Sequence, residues 1–66
     1  MRDPKRIPMV LEEIQKTWEK YSGLRFGQLM INFCSYLNQK KIHMYGIEDD
    51  EFIIEFNKFY CGLLNE

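Results

Sequence analysis

The sequence predicts a small all-α domain of three helices, and three observations support this prediction. Apolar residues recur at helical spacing in three separate stretches. No stretch alternates apolar and polar residues as a half-buried strand does. The chain has 66 residues, of which 45% are hydrophobic and 29% are charged, so it is too apolar for a disordered segment and long enough for one domain, residues 1–66. We expect a soluble domain with a small core.

The first helix is predicted over residues 5–21. Its apolar residues fall within about 100° on a helical wheel, and the opposite face is charged, with Glu12 and Lys16 as a favourable i,i+4 pair. Pro8 has no N–H group to donate inside a helix, so one interpretation is that the regular part of the helix begins at Pro8 and not before it. The stripe expected to face the core is Ile7, Val10, Leu11, Ile14, Trp18 and Tyr21.

The second helix is predicted over residues 25–40, after a break at Ser22 and Gly23. Gly27 is unfavourable inside a helix, which indicates either a position where another backbone comes close or a tolerant first turn. The stripe expected to be buried is Phe26, Leu29, Met30, Phe33, Cys34 and Leu37.

The third helix is predicted over residues 49–64, after a turn at Tyr45 and Gly46. Its apolar arc is about 140° wide and this helix is the most apolar of the three, so it should occupy the centre of the core. Glu48 and Glu51 have the spacing of a capping box at its start. The side chains expected to pack at the centre are Trp18, Phe33, Phe56 and Phe59.

The formal charge of −1 hides an uneven distribution, because residues 1–47 carry a net charge of +4 and residues 48–66 carry −5. Such asymmetry either orients the encounter with a charged partner or only holds the third segment against the first two.

Catalytic and metal chemistry are not expected. Cys34, Cys61 and His43 are too few for a disulfide framework or a structural zinc site. One loop histidine and a group of carboxylates at a helix start do not provide an acid, base or nucleophile held in a pocket. We therefore expect no catalytic residue, cofactor or metal. No signal peptide or membrane span is found in the sequence, so we expect a cytoplasmic protein with reduced thiols.

Two surfaces are candidates for binding a protein partner. Arg25, Gln28, Asn32 and Ser35 cluster within about 80° on the second helix, with Tyr36 beside them, and form a ridge of hydrogen-bonding groups. Amides, an arginine and a tyrosine resemble the composition of a recognition surface, although a solvated polar seam is the alternative. The second candidate is the acidic start of the third helix, at Glu48, Asp49, Asp50 and Glu51.

Self-association is a further expectation. Met9, Ile31 and Ile54 fall outside the three apolar arcs, and such residues on a small chain with wide apolar faces favour a homodimer or partner interface.

Several segments resemble a family of short bacterial and phage proteins of no known activity. They are RDPKRI at the start, the single Trp18, LRFGQL at residues 24–29 with Asn32, and IEDDEF at residues 47–52. The chain departs from that pattern at Pro8 and around HMYG. The resemblance implies a small helical protein of mobile-element origin, and it supplies no activity, cofactor or catalytic residue.

Taken together, these features predict a non-catalytic protein–protein interaction module, with a phage or mobile-element modulator of a host protein as the specific hypothesis. A small DNA-binding regulator is the alternative, because three short helices can form a helix-turn-helix. Two features argue against it. The pI of about 5.8 leaves too little positive charge for a DNA-binding domain, and the connection between the second and third helices is longer than the tight turn of that motif.

Overall fold

The computed structural model describes residues 2–64, and side chains for residues 2–61. It contains α1 (Arg6–Lys20), α2 (Phe26–Gln39) and α3 (Asp49–Leu64), with a short 3₁₀ turn, Met44–Gly46, before α3. No strand occurs in the described residues, so the predicted all-α three-helix fold is confirmed. Each predicted helix boundary lies within one residue of the observed one.

The core lies where α2 packs against α3. Five apolar side chains are almost completely buried: Leu29, Phe33, Leu37, Phe56 and Tyr60. The Phe33 ring meets Phe52 and Phe56 edge to face, with centroids 4.9 and 5.0 Å away. Aromatic pairs prefer this geometry because the positive ring edge faces the negative ring face. Since α1 also packs on α3, the third helix is central, as the width of its apolar arc predicts.

Only the C-terminal half of α1 reaches this core. Ile14, Trp18 and Tyr21 pack against it. Ile7 and Leu11 remain 48% and 58% exposed, so the prediction that they are buried is wrong. The apolar stripe of α1 therefore extends beyond the surface that α3 offers to it.

Two other core predictions need correction. Phe26 is 52% exposed, because it lies in the first turn of α2, where its ring meets Trp18 at the edge of the domain. Trp18 and Phe59 are only partly buried, although both pack against the core. Of the four side chains predicted at its centre, Phe33 and Phe56 are confirmed.

The start of α1 shows how the chain accommodates Pro8. The Asp3 carbonyl accepts a hydrogen bond from Arg6 N at 3.2 Å, and the Asp3 carboxylate accepts one from Lys5 N at 2.9 Å. The helix thus begins two residues before Pro8, which lies in the first turn, where the N–H group that it lacks would have no partner within the helix. The helix is therefore not delayed to Pro8.

The end of α2 is closed by backbone bonds that the sequence does not indicate. Lys41 adopts a left-handed conformation with φ 61°, a position usually held by glycine. Lys41 N donates to the Asn38 carbonyl at 3.0 Å, and Ile42 N donates to the Leu37 carbonyl at 2.9 Å. These are the two bonds of a Schellman motif, and they turn the chain so that Ile42 packs on the core.

Aromatic side chains join the three helices through their polar atoms as well as their rings. Trp18 Nε1 donates to the Leu24 carbonyl at 2.8 Å, and the Tyr21 hydroxyl donates to the Tyr60 carbonyl at 2.6 Å. The Tyr60 hydroxyl donates to the Leu29 carbonyl, and burial raises the pKa of that hydroxyl, which keeps it protonated as a donor. Within the described residues, no buried side-chain polar atom lacks a partner.

A polar link between α1 and α3 was not foreseen from the sequence. Thr17 is the buried residue of α1, 7% exposed, and its hydroxyl donates to Asn57 Oδ1 at 3.3 Å. Asn57 Nδ2 in turn donates to Glu13 Oε1 at 3.3 Å. The contact between these helices therefore combines aromatic packing with a hydrogen-bonded chain.

Phe56→Ala should cost about 3–5 kcal/mol of unfolding free energy, because it opens a cavity in a core of only five fully buried residues. Urea unfolding followed by circular dichroism measures this loss. Ile54→Ala, on the same helix but 54% exposed, is the control and should change stability by no more than about 0.5 kcal/mol. Equal effects of the two substitutions would contradict this arrangement of α3.

Candidate functional site

The predicted ridge on α2 divides into an exposed part and an internal part. Arg25, Gln28 and Asn32 are exposed at the start and on the outer side of the helix, whereas Tyr36 is partly buried. Gln28 Oε1 accepts a hydrogen bond from Arg25 N at 2.8 Å. A guanidinium group has no acceptor to return this bond, so only one arm of a capping box forms. Gln28 thus supports the helix start as well as facing solvent.

Tyr36 belongs to the joint between α2 and α3. Its ring stacks on Phe59 with centroids 4.8 Å apart, and its hydroxyl donates to Glu55 Oε1 at 3.0 Å. Lys40 Nζ lies 2.7 Å from the same carboxylate oxygen. These contacts lie within the molecule, so Tyr36 joins α2 to α3, whereas the exposed part of the ridge faces solvent.

The contacts in this joint shift the pKa of both charged groups, Glu55 and Lys40. The Lys40 ammonium, followed by the Tyr36 hydroxyl, holds the pKa of Glu55 below its ordinary value of 4.5. Glu55 in turn raises the pKa of Lys40 above 10.5. Each shift favours the charged form, because each group hydrogen-bonds to the charged state of the other.

The acidic surface at the start of α3 is also partly used within the molecule. Glu48 forms an ion pair with Arg2 at 3.1 Å, and Asp49 forms one with Arg6. The uneven charge of the chain therefore acts in part to hold α3 against the start of α1, which was one of the two interpretations offered by the sequence. Asp50 Oδ1 accepts from the backbone N of Glu51 at 2.9 Å, and both side chains are exposed.

A broader surface of α2 extends beyond the predicted ridge. None of the fourteen residues of α2 is charged. Ile31 is 64% exposed and lies one residue before Asn32, although it was predicted only as a general interface residue. We call the exposed side chains on the outer side of this helix the α2 face: Gln28, Ile31, Asn32, Ser35, Asn38 and Gln39.

A second surface, the α1 face, was missed because its apolar residues were expected to be buried. It consists of Ile7, Leu11 and an open depression of about 210 Å³ lined by Gln15, Trp18, Glu19 and Ser22. The Trp18 indole N–H is already bonded to the Leu24 carbonyl, so the ring presents mainly hydrocarbon to the depression. The sequence does contain one indication of this surface: the apolar stripe runs through four turns of α1, which is longer than one neighbouring helix needs to cover.

Gly27 does not mark a close contact between backbones. A side chain added at this position would meet no other atom within 4 Å. The prediction of close approach is therefore wrong, and the alternative of a tolerant first turn describes the position.

Side chains of other chemical interest lie apart from one another. Cys34 is partly buried and Cys61 is exposed, and both are free thiols. Among the described residues, no three His, Cys, Asp or Glu side chains converge in a way that could hold a metal ion. No helix within residues 2–64 is both long and apolar enough to span a bilayer.

Comparison of the chain with models of protein families, with curated proteins and with solved structures found no match. The resemblance to short bacterial and phage proteins therefore stays a prediction.

Glu55→Gln should remove one component of the pH dependence of stability. Because the Glu55 pKa is lower in the folded than in the unfolded chain, its contribution is present above about pH 4.5 and is lost as the pH falls through the lowered value. Urea unfolding at a series of pH values measures it as the difference between wild type and Glu55→Gln. Lys40→Gln should reduce the same difference, since Lys40 is its largest cause. A difference that grows on acidification would contradict the assignment.

Gln28→Ala should lower the unfolding free energy by about 0.5–1.5 kcal/mol, the usual net value of one hydrogen bond, because the Arg25 N–H loses its side-chain acceptor. Gln28→Glu keeps an acceptor at the helix start and should retain most of the stability. Thermal melts followed by circular dichroism compare the variants. Unchanged stability of Gln28→Ala would show that the amide does not cap α2.

Proposed function

We propose that this chain is a non-catalytic interaction module that binds a protein partner through the α2 face. The observation that carries the proposal is a helix of fourteen residues without a charged side chain, six of whose exposed side chains lie on its outer side, in a chain that is 29% charged. A surface that needs only solubility usually carries lysine and glutamate, as the outer side of α1 does with Glu12 and Lys16.

The absence of charge suits a surface that becomes buried on binding. A charged side chain must lose its water when a partner covers it, and this desolvation is costly unless a partner group compensates. Asn32 and Ser35 can each donate and accept hydrogen bonds at lower cost. Ile31 supplies an apolar contact beside them. Interface centres are depleted of charged residues in the same way.

Arg25 is the charged residue at the edge of this face, since it precedes the first turn of α2 and is exposed. Arginine is enriched at interfaces because its planar group makes several hydrogen bonds in a fixed geometry. We therefore assign Arg25, Gln28 and Asn32 to partner binding, with Gln28 also capping the helix. Tyr36 supports the face from within the α2–α3 joint.

The acidic surface is the second proposed contact. Glu48 and Asp49 are engaged by Arg2 and Arg6, so a partner would meet mainly Asp50 and Glu51. Carboxylates at a helix start can attract a basic surface and increase the rate of association.

The pairing of cations within the chain favours a protein partner over DNA. Arg2, Arg6, Lys16 and Lys40 each lie within 4 Å of a carboxylate oxygen of this chain. Phosphate binding would have to compete with these pairs. The specific hypothesis of a phage or mobile-element protein acting on a host protein rests on the sequence resemblance alone.

Adding charge to the α2 face should weaken partner binding. Ile31→Lys combined with Asn32→Lys changes two exposed side chains, so the fold should persist while the partner surface gains two ammonium groups. Affinity capture from a bacterial lysate, followed by binding measurements with the purified captured protein, should show at least about a tenfold loss of affinity, or about 1.4 kcal/mol.

The matched control is Tyr45→Lys combined with Ile54→Lys, which adds the same two charges at exposed positions outside the α2 face. It should bind like wild type. Asp50→Lys with Glu51→Lys tests the acidic surface in the same assay. Equal capture by wild type and every variant, or capture of no protein, would contradict the proposal. Salt-sensitive binding of wild type to duplex DNA would instead favour the DNA-binding alternative.

A further inference from the structure

We infer that the α1 face is the interface of a homodimer, in which α1 of one chain packs antiparallel against α1 of a second copy. This inference goes beyond the proposed function, because it concerns a different surface and a different partner. The α1 face consists of Ile7, Leu11 and the depression beside Trp18, and neither Ile7 nor Leu11 packs against the core.

The exposed area of the chain is the first reason. Its accessible surface is 5232 Å², about 700 Å² more than the roughly 4,500 Å² that folded monomers of 8.1 kDa expose. The excess is close to the roughly 800 Å² that each partner buries in an interface of standard size. One standard interface would therefore bring this chain to the surface expected of its mass.

The domain is also elongated. Its principal extents are 39 × 27 × 21 Å, so it is nearly twice as long as it is thick. The N-terminal half of α1 lies outside the core contacts, and Ile7 and Leu11 in that half are exposed. A second α1 laid against them would cover the part of the stripe that α3 does not reach.

The α1 face is also complementary to itself. Leu11 is a projecting apolar side chain, and the depression is centred about seven residues further along the helix, a distance of about 11 Å. In an antiparallel pair, Leu11 of each copy can enter the depression of the other at the same time. The depression has a volume of about 210 Å³ and is open to solvent, so an isobutyl group can enter it.

This arrangement determines which residues meet at the two-fold axis. Pairing Leu11 with the depression places Gln15 at the axis, opposite its counterpart in the second copy; within each chain its Nε2 donates to Glu19 Oε2 at 3.0 Å. Ile7 then lies opposite Ser22, whose small side chain leaves space for it. A two-fold interface of this kind uses the same patch on both chains and closes on itself, which is the usual form of a dimer.

Sedimentation equilibrium of the full chain tests the inference. Wild type should reach a monomer–dimer equilibrium at micromolar concentrations, and Leu11→Asp should raise the dissociation constant at least about tenfold, since it places a carboxylate in the apolar depression. Met9→Asp is the matched control, because Met9 is 67% exposed on another side of the same helix. A monomeric wild type at high micromolar concentration, or equal weakening by both substitutions, would overturn the inference.

Cross-linking tests the register independently. In a Cys61→Ser background, Gln15→Cys should form an intermolecular disulfide on oxidation, since position 15 lies at the axis, whereas Lys16→Cys should not. A dimer in which position 15 does not cross-link would overturn the α1 assignment. Partner capture by the monomeric Leu11→Asp variant separates the two proposals, because binding through the α2 face does not require this dimer.

Discussion

Phe33 of α2 and Phe56 of α3 meet edge to face with centroids 5.0 Å apart, and both are almost completely buried. Beside this contact the Tyr60 hydroxyl donates to the Leu29 carbonyl. The two helices are therefore joined in the core by an edge-to-face ring contact and by a buried hydrogen bond. Five buried apolar side chains are few for a domain, and all of them come from these two helices. The position of α1 is therefore set by what remains of the α3 surface.

The attachment of α1 is of a different kind. It combines partly buried aromatic rings, Trp18 and Tyr21, with the hydrogen-bonded chain from Thr17 through Asn57. These contacts hold the C-terminal half of the helix, while ion pairs from Arg2 and Arg6 reach the start of α3. Because exposed ion pairs contribute little free energy, they orient the helix more than they stabilise it. Between these two attachments, an apolar stripe is left at the surface.

The two surfaces that carry the proposals differ for physical reasons. The α2 face is polar and uncharged, so it can be covered by a partner without desolvating a charge, yet it remains compatible with water when uncovered. The α1 face exposes the apolar side chains of Ile7 and Leu11 beside polar groups such as Gln15, so it gains more from being covered. A chain with both surfaces can dimerise through one and present two copies of the other.

Helical periodicity in the sequence was enough to determine the number of helices, their boundaries within one residue and the central part of the buried stripe on α2 and α3, since each follows from local spacing and chain punctuation. The chemistry of the α2 face was also readable, because Arg25, Gln28 and Asn32 share one side of a regular helix. Periodicity shows which residues share a face, but it does not show how far a neighbouring helix extends along that face. Only the tertiary structure therefore decided that Ile7 and Leu11 stay exposed, that Glu55 engages Tyr36, and that Glu48 and Asp49 are paired, because each outcome depends on residues distant in the sequence coming together.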